Sequence, residues 1–190
     1  MKELVFLLEE ESAKALLLAV LPRLLAPGTG YRLIPFEGKQ DLEKQLVRKI
    51  RGYQNEQARF IVLRDQDSHP DCKQLKARLV DLCEQTGKAE KCLVRVACQE
   101  LETFYLADLQ AVALALNLPD LPRQQGNRKF RAPDALGNPS HELKTLTRNR
   151  YQKVCGSRAI GQYLNLDNQR SASFHHLLAA IPRWETALSS

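Results

Sequence analysis

Leu4-Val-Phe-Leu-Leu8 is an unbroken apolar run, the mark of a strand covered on both faces of a parallel sheet. From Ser12, a good N-cap, apolar residues recur at helical spacing through Leu16, Leu17, Val20, Leu21 and Leu24, until Ala-Pro-Gly-Thr-Gly at 26–30 closes the segment. Tyr31–Phe36 predicts a second strand. Gly38 and Lys39 open a helix through Leu42, Leu46 and Ile50, and Arg59–Leu63 reads as a third strand. A helix over 70–86 follows, with Leu75, Leu79 and Leu82 in phase, ending near Gly87; Leu93–Cys98 is a fourth strand. Strands alternating with helical crossovers of this length predict an α/β fold: a mostly parallel four-stranded sheet flanked by helices.

Glu100–Leu118 reads as one further helix carrying Leu101, Phe104, Tyr105, Leu109, Val112 and Leu116. From Pro119 the texture changes, with prolines at 119, 122, 133 and 139 and glycines at 126 and 137. Three short helices are expected after that, near 140–150, 157–165 and 173–188. The reading is an α/β domain over 1–118 and a small, basic, mainly helical C-terminal extension over 119–190.

Charge sharpens that division. Residues 1–119 carry 17 Lys/Arg against 17 Asp/Glu, and residues 120–190 carry 11 against 5, so the whole excess of +6 lies in the last third. Such an excess suits a polyanionic partner, or equally a solubilising surface. The five cysteines form no CxxC pair, and His69-x-x-Cys72 has no second pair, so a zinc site is not expected. The count fits a reducing, cytoplasmic setting. Three glutamates directly after the first apolar run argue against a signal peptide, and Ala15–Ala26 is too short to span a bilayer.

The candidate chemistry sits at strand ends. Glu9-Glu10-Glu11 follows the first strand, Asp65-Gln-Asp67 ends the third, and Glu100 and Glu102 follow the fourth. In open parallel sheets these ends share the edge where sites are built. If the third strand continues through them, Asp65 and Asp67 point to one face. Two unit charges about 4 Å apart repel by roughly 4 kcal/mol at an effective dielectric near 20, so carboxylates gathered there call for a cation. Helix capping or first-turn acidity explains each cluster separately. Their convergence on one edge favours metal binding, and hard carboxylate oxygens favour Mg²⁺ or Mn²⁺.

The chain resembles a bacterial domain-of-unknown-function family related to the TOPRIM fold of topoisomerases, primases and OLD-type nucleases. The resemblance rests on Leu7-Leu-Glu-Glu-Glu-Ser12, Gly38-Lys39, Val62-Leu-Arg-Asp-Gln-Asp67, Glu100-Leu-Glu-Thr-Phe-Tyr105 and Arg170-Ser-Ala-Ser-Phe174. It implies a TOPRIM-like sheet and metal ligation by Glu9, Asp65, Asp67 and Glu102, with Glu100 as a further ligand. It also implies a partner ATPase of the AAA or ABC type and a place in phage defence. One departure stands out: TOPRIM proteins carry Gly directly after the strand-one Glu, and here Glu10 holds that position. With no second domain to supply a nucleophilic tyrosine, strand passage is not expected.

The leading expectation is a metal-dependent nuclease of DNA or RNA, with Glu9, Asp65, Asp67 and Glu102 catalytic. Lys39, Arg128, Lys129, Arg131, Arg150 and Lys153 are the candidate nucleic-acid contacts, because cations interleaved with Phe130 and Tyr151 suit phosphate contact plus base stacking. A solvated face over core aromatics is the equal alternative. The second functional reading is a non-catalytic subunit that binds an ATPase or nucleic acid. A nucleotide phosphoryl-transfer enzyme lacks support, since no Gly-rich phosphate loop is present. An oligomer is compatible with either reading.

Overall fold

In the computed structural model, which describes residues 2–188, four parallel strands stand in the order β2-β1-β3-β4. They are β1 (Glu3–Leu8), β2 (Gly30–Pro35), β3 (Ala58–Asp65) and β4 (Cys92–Ala97). Helices α1 (Glu11–Leu24), α2 (Lys39–Arg51) and α3 (Cys72–Glu84) are the crossovers. The expected α/β architecture with a four-stranded parallel sheet is therefore present. β1 pairs with both β2 and β3, with Leu8 opposite Pro35 on one side and Leu63 on the other, so β1 and β2 stop level while β3 runs on to Asp65 beside β4.

The alternation of the strands divides the interior into two cores. Val5, Leu7, Phe60, Val62 and Val94 face α2 and α3. Leu4, Phe6, Leu8, Ile61, Leu63 and Ala97 face a larger cluster that includes Leu16, Leu17, Val20 and Leu21 of α1. The continuous apolar run of β1 is what a strand covered on both sides requires.

The stretch read as one helix from Glu100 is two: α4 (Glu102–Leu106) and α5 (Leu109–Leu116). The break is made by Asp108, whose Oδ1 accepts from Ala111 N at 3.1 Å as the N-cap of α5 while Oδ2 accepts from Asn165 N at 2.8 Å. After a 3-10 segment at Leu121–Gly126 come α6 (Arg128–Arg131), α7 (Pro139–Leu146), α8 (Lys153–Gly161) and α9 (Ala172–Thr186).

The compositional change near residue 118 is not a packing boundary. Phe130, Leu143, Tyr151, Ile160, Leu164, Phe174 and Leu177 belong to the same buried cluster as α1 and the sheet. Helix α8 lies closely along α1 because Gly161 has no side chain. A Cβ there would stand 2.9 Å from Ala19 Cβ and 3.2 Å from the Leu16 carbonyl oxygen. Arg23, in the last turn of α1, donates to the carbonyls of Gly161, Gln162 and Leu164 at 3.0, 3.1 and 2.7 Å, which satisfies the end of α8.

Candidate functional site

Because β1 ends opposite Leu63, the residue just beyond it meets the last residues of β3. Glu9 N donates to the Leu63 carbonyl at 3.2 Å, and Glu9 Oε2 accepts from Asp65 N at 3.0 Å. Asp65 closes β3 on the face of the larger core, where Oδ2 accepts from Leu101 N at 3.2 Å. Both carboxyls hold protons more tightly than usual. Burial is the main cause at Asp65, reinforced by the charges of Glu9 and Glu102. At Glu9 burial again leads, partly offset by the Asp65 N–H and by Arg64, with Asp67 and Glu10 pushing the same way as burial.

Asp67 does not share a face with Asp65. The strand ends at Asp65, and Asp67 takes a left-handed backbone with φ of 52°. Its N–H reaches the Gln99 carbonyl at 2.6 Å, and Oδ2 accepts from Lys39 Nζ at 3.0 Å. The i, i+2 rule fails because the pleat it depends on is already over. Lys39 is placed by Gly38, whose N–H bonds the Glu9 carbonyl at 2.9 Å and whose φ of 107° with ψ of 180° lies where a Cβ is not tolerated.

Beyond β4 the two glutamates separate. Glu100 Oε2 accepts from Ser140 N at 2.7 Å, in the first turn of α7, where a carboxylate meets a helix N-terminus. Glu102 is only 1 % exposed. Its Oε1 accepts from the Tyr151 hydroxyl at 3.0 Å, while its Oε2 is buried without a hydrogen-bond partner. Burial raises its proton affinity, against a lowering by the nearby Lys153 charge. Lys153, at the start of α8, donates to Glu10 Oε1 at 2.7 Å. Burial disfavours its charge, but the bond to Glu10 and the fields of Glu102 and Asp65 more than offset this.

Lys39 and Lys153 are thus the expected cations that reach the carboxylate edge. The other four lie elsewhere. Lys129 pairs with Glu142 at 2.7 Å and sits 5.1 Å from the Phe130 ring centroid, and Arg131 Nε donates to the Gly126 carbonyl. Arg128, Lys129 and Arg131 share a surface depression with Ala132 and Leu136. Arg150 donates to the Leu116 and Asn117 carbonyls at the end of α5. Base stacking on Phe130 or Tyr151 is ruled out, because both rings are fully buried. Of the two alternatives, the solvated face over core aromatics is the one present.

Arg64 was not anticipated. It sits one residue before Asp65, is almost fully buried, and pairs with Glu43 of α2 at 3.2 Å, whose other oxygen binds Arg78 at 2.6 Å. A lone cation inside an apolar strand was the available signal, since a buried charge demands a partner.

The donor set suits a hard divalent cation. It is all carboxylate oxygen, is raised in proton affinity by mutual charge and burial, and includes the unpartnered Glu102 Oε2. Among the described residues, no three Asp, Glu, His or Cys side chains already stand as a ligand set for one ion. Glu9, Asp65 and Glu102 each engage a protein donor through one oxygen.

The raised proton affinity has a measurable sign. A carboxyl whose folded-state pKa exceeds its unfolded value favours folding only while it keeps its proton. Its contribution therefore falls as pH rises from about the unfolded value through the folded one. Metal-free protein should lose melting temperature from about pH 4 upward, and Asp65→Asn should flatten that slope. A wild-type slope equal to that of the variant would refute the coupling.

Among the described residues no helix is long and apolar enough to cross a membrane. A search of curated proteins returns no match. The fold is similar to the C-terminal region of the Burkholderia pseudomallei OLD protein, with a TM-score of 0.60 and 18 % identity over 98 % of each chain. The model of a family described as a domain of unknown function, DUF4276, matches residues 8–182. By that match, which takes in Glu9, Asp65, Asp67, Glu102 and Lys153 alike, the chain belongs to the DUF4276 family.

Proposed function

We propose that the chain is a Mg²⁺- or Mn²⁺-dependent nuclease of TOPRIM type that hydrolyses phosphodiester bonds of DNA or RNA. The observation that carries this reading is the buried Asp65 carboxyl, which accepts the Leu101 N–H at 3.2 Å and on which the charges of Glu9 and Glu102 converge, with Lys39 and Lys153 on the rim. Glu9, Asp65, Asp67 and Glu102 would hold the ion; Glu100 is left at the helix start of α7. A bound ion supplies an activated water and a polarised phosphate.

The chain's own groups set the stage for that chemistry. The Asp65 and Leu101 N–H groups fix one oxygen each of Glu9 and Asp65, leaving Oε1 and Oδ1 for the ion. The Tyr151 hydroxyl fixes Glu102 by Oε1 and leaves Oε2. Lys39 and Lys153 offer ammonium groups to phosphate oxygens once Asp67 and Glu10 release them. The likeness to the OLD C-terminal region supports this use of the fold. A partner ATPase and a role in phage defence belong to the same proposal, through the family resemblance.

The test is oligonucleotide cleavage with Mn²⁺ or Mg²⁺, with and without chelator, in the presence of a neighbouring ATPase where one is encoded. The double variant Asp65→Asn, Asp67→Asn should be inactive. It should also lose the metal-induced rise in melting temperature, worth about 2.7 kcal/mol at a hundred times the dissociation constant. One specific observation favours a second reading, a non-catalytic subunit: Glu10 occupies the position of the TOPRIM glycine and engages Lys153 at 2.7 Å. Equal activity in wild type and the double variant would select that reading.

A further inference from the structure

A second feature lies outside the carboxylate edge. β4 is an edge strand, paired only with β3, and its free side is the floor of a groove of about 420 Å³ between α3 and α9. Lys73 and Lys76 line one wall, Arg183 and His176 the other, and Arg95 rises from the floor beside Val94 and Val96. Among the described residues, no carboxylate lines the groove.

These cations are not spoken for. Lys73, Lys76, Arg95 and Arg183 form no ion pair among the described residues, whereas ten other ion pairs do form. Arg95 is half-buried, and its guanidinium spends two of its N–H groups on the carbonyls of His176 and Val94 at 3.3 and 3.0 Å. Burial and the neighbouring Arg183 charge both act against its protonation. A pair of guanidinium groups facing one groove without a counter-charge is relieved by an anion and by little else.

The groove also points somewhere. It runs along β4 toward Cys98, and the residue after that, Gln99, bonds Asp67 and Gln66. One end of the groove therefore lies beside the DxD segment. Cations spread along both walls and the floor, with Val94 and Val96 between them, suit one strand of nucleic acid, whose backbone repeats its charge along a line, better than a single compact anion.

We infer that the groove between α3, β4 and α9 binds the phosphate backbone of a single nucleic-acid strand and leads it to the carboxylate edge. This rests on the nucleic-acid reading of the site, and its test is kept apart from catalysis. The probe is a fluorescent mixed-sequence single-stranded DNA of about twenty nucleotides, with chelator present, and binding is measured across a salt series. The variant Lys76→Glu, Arg183→Glu changes exposed side chains only. It should keep the wild-type melting temperature, weaken binding roughly tenfold or more near 0.1 M salt, and lower the log–log salt slope by about 1.4, the value for two lost phosphate contacts on a single strand. Charge reversal at Arg48 and Arg123, exposed cations outside the groove, should leave both readouts close to wild type, and a companion variant reversing Arg128 and Arg131 measures the other basic surface.

Wild-type affinity and slope in the groove variant would overturn the proposal, as would loss of binding confined to the Arg128 and Arg131 variant. Absence of binding by the wild-type chain would overturn it too. The nuclease reading would still be judged separately, by metal-dependent cleavage. Cleavage retained by the groove variant only at low salt would support the groove as the substrate track.

Discussion

Glu9→Gln is expected to leave the sheet intact and to reduce metal-dependent cleavage by at least about a hundredfold. The amide can still accept the Asp65 N–H at its oxygen, so the local hydrogen bond survives. What disappears is the negative charge, and with it both ligation and part of the electrostatic strain on Asp65. Glu102→Gln should behave alike, since the Tyr151 hydroxyl can still donate to the amide oxygen. Glu11→Gln is the control: Glu11 is an exposed first-turn acid paired with Lys14 at 2.9 Å, and its loss should leave the rate nearly unchanged. The metal-free Glu9→Gln protein should melt no lower than wild type. A variant that retains full activity would remove Glu9 from the reaction.

The second large effect is on stability. Gly161→Val places methyl groups where even a Cβ would stand 2.9 Å from Ala19 and 3.2 Å from a backbone oxygen of α1. One helix must move, at a cost of about 3 kcal/mol, which for a chain of this size lowers the melting temperature by roughly 10 °C. Gly126→Ala, at a position with nothing within 4 Å, should change stability by less than about 0.5 kcal/mol. Since α8 also carries Lys153, Gly161→Val should disturb the site as well as the fold. A melting temperature within a degree or two of wild type would mean that the two helices are not in close contact.

What could be read from the sequence was what depends on neighbours in the chain. The β1 run, the crossover helices and the meeting of Glu9 with Asp65 follow from period and spacing, because neighbouring parallel strands bring their C-terminal ends to one edge of the sheet. Features set by distant partners were not legible. Asp67 leaves the strand because its N–H bonds Gln99, thirty-two residues away, a contact that no alternation rule contains. The helix after β4 breaks at Asp108 because Asn165 claims the other carboxylate oxygen. For Phe130 and Tyr151 the chain left base stacking and core packing equally open, and the structure decides for the core, where both rings are buried. Arg64, just past the strand read as Arg59–Leu63, gave no sign of its partner, because Glu43 lies on another element.

The clasp between α1 and α8 joins parts of the chain that are far apart in sequence: Arg23 reaches Leu164 across 141 residues, and Lys153 reaches Glu10 across 143. Contacts of such separation carry a high loop-closure cost and slow the search for the native state. In refolding, the sheet with α1 to α3 is therefore expected to form ahead of the clasp, and the carboxylate edge to pass through an interval with Lys39 in place but without Lys153. Arg23→Ala should speed unfolding far more than it slows folding, because the bonds it removes belong to the last step. Time-resolved fluorescence of Trp184, on α9, would follow the docking of the late helices directly.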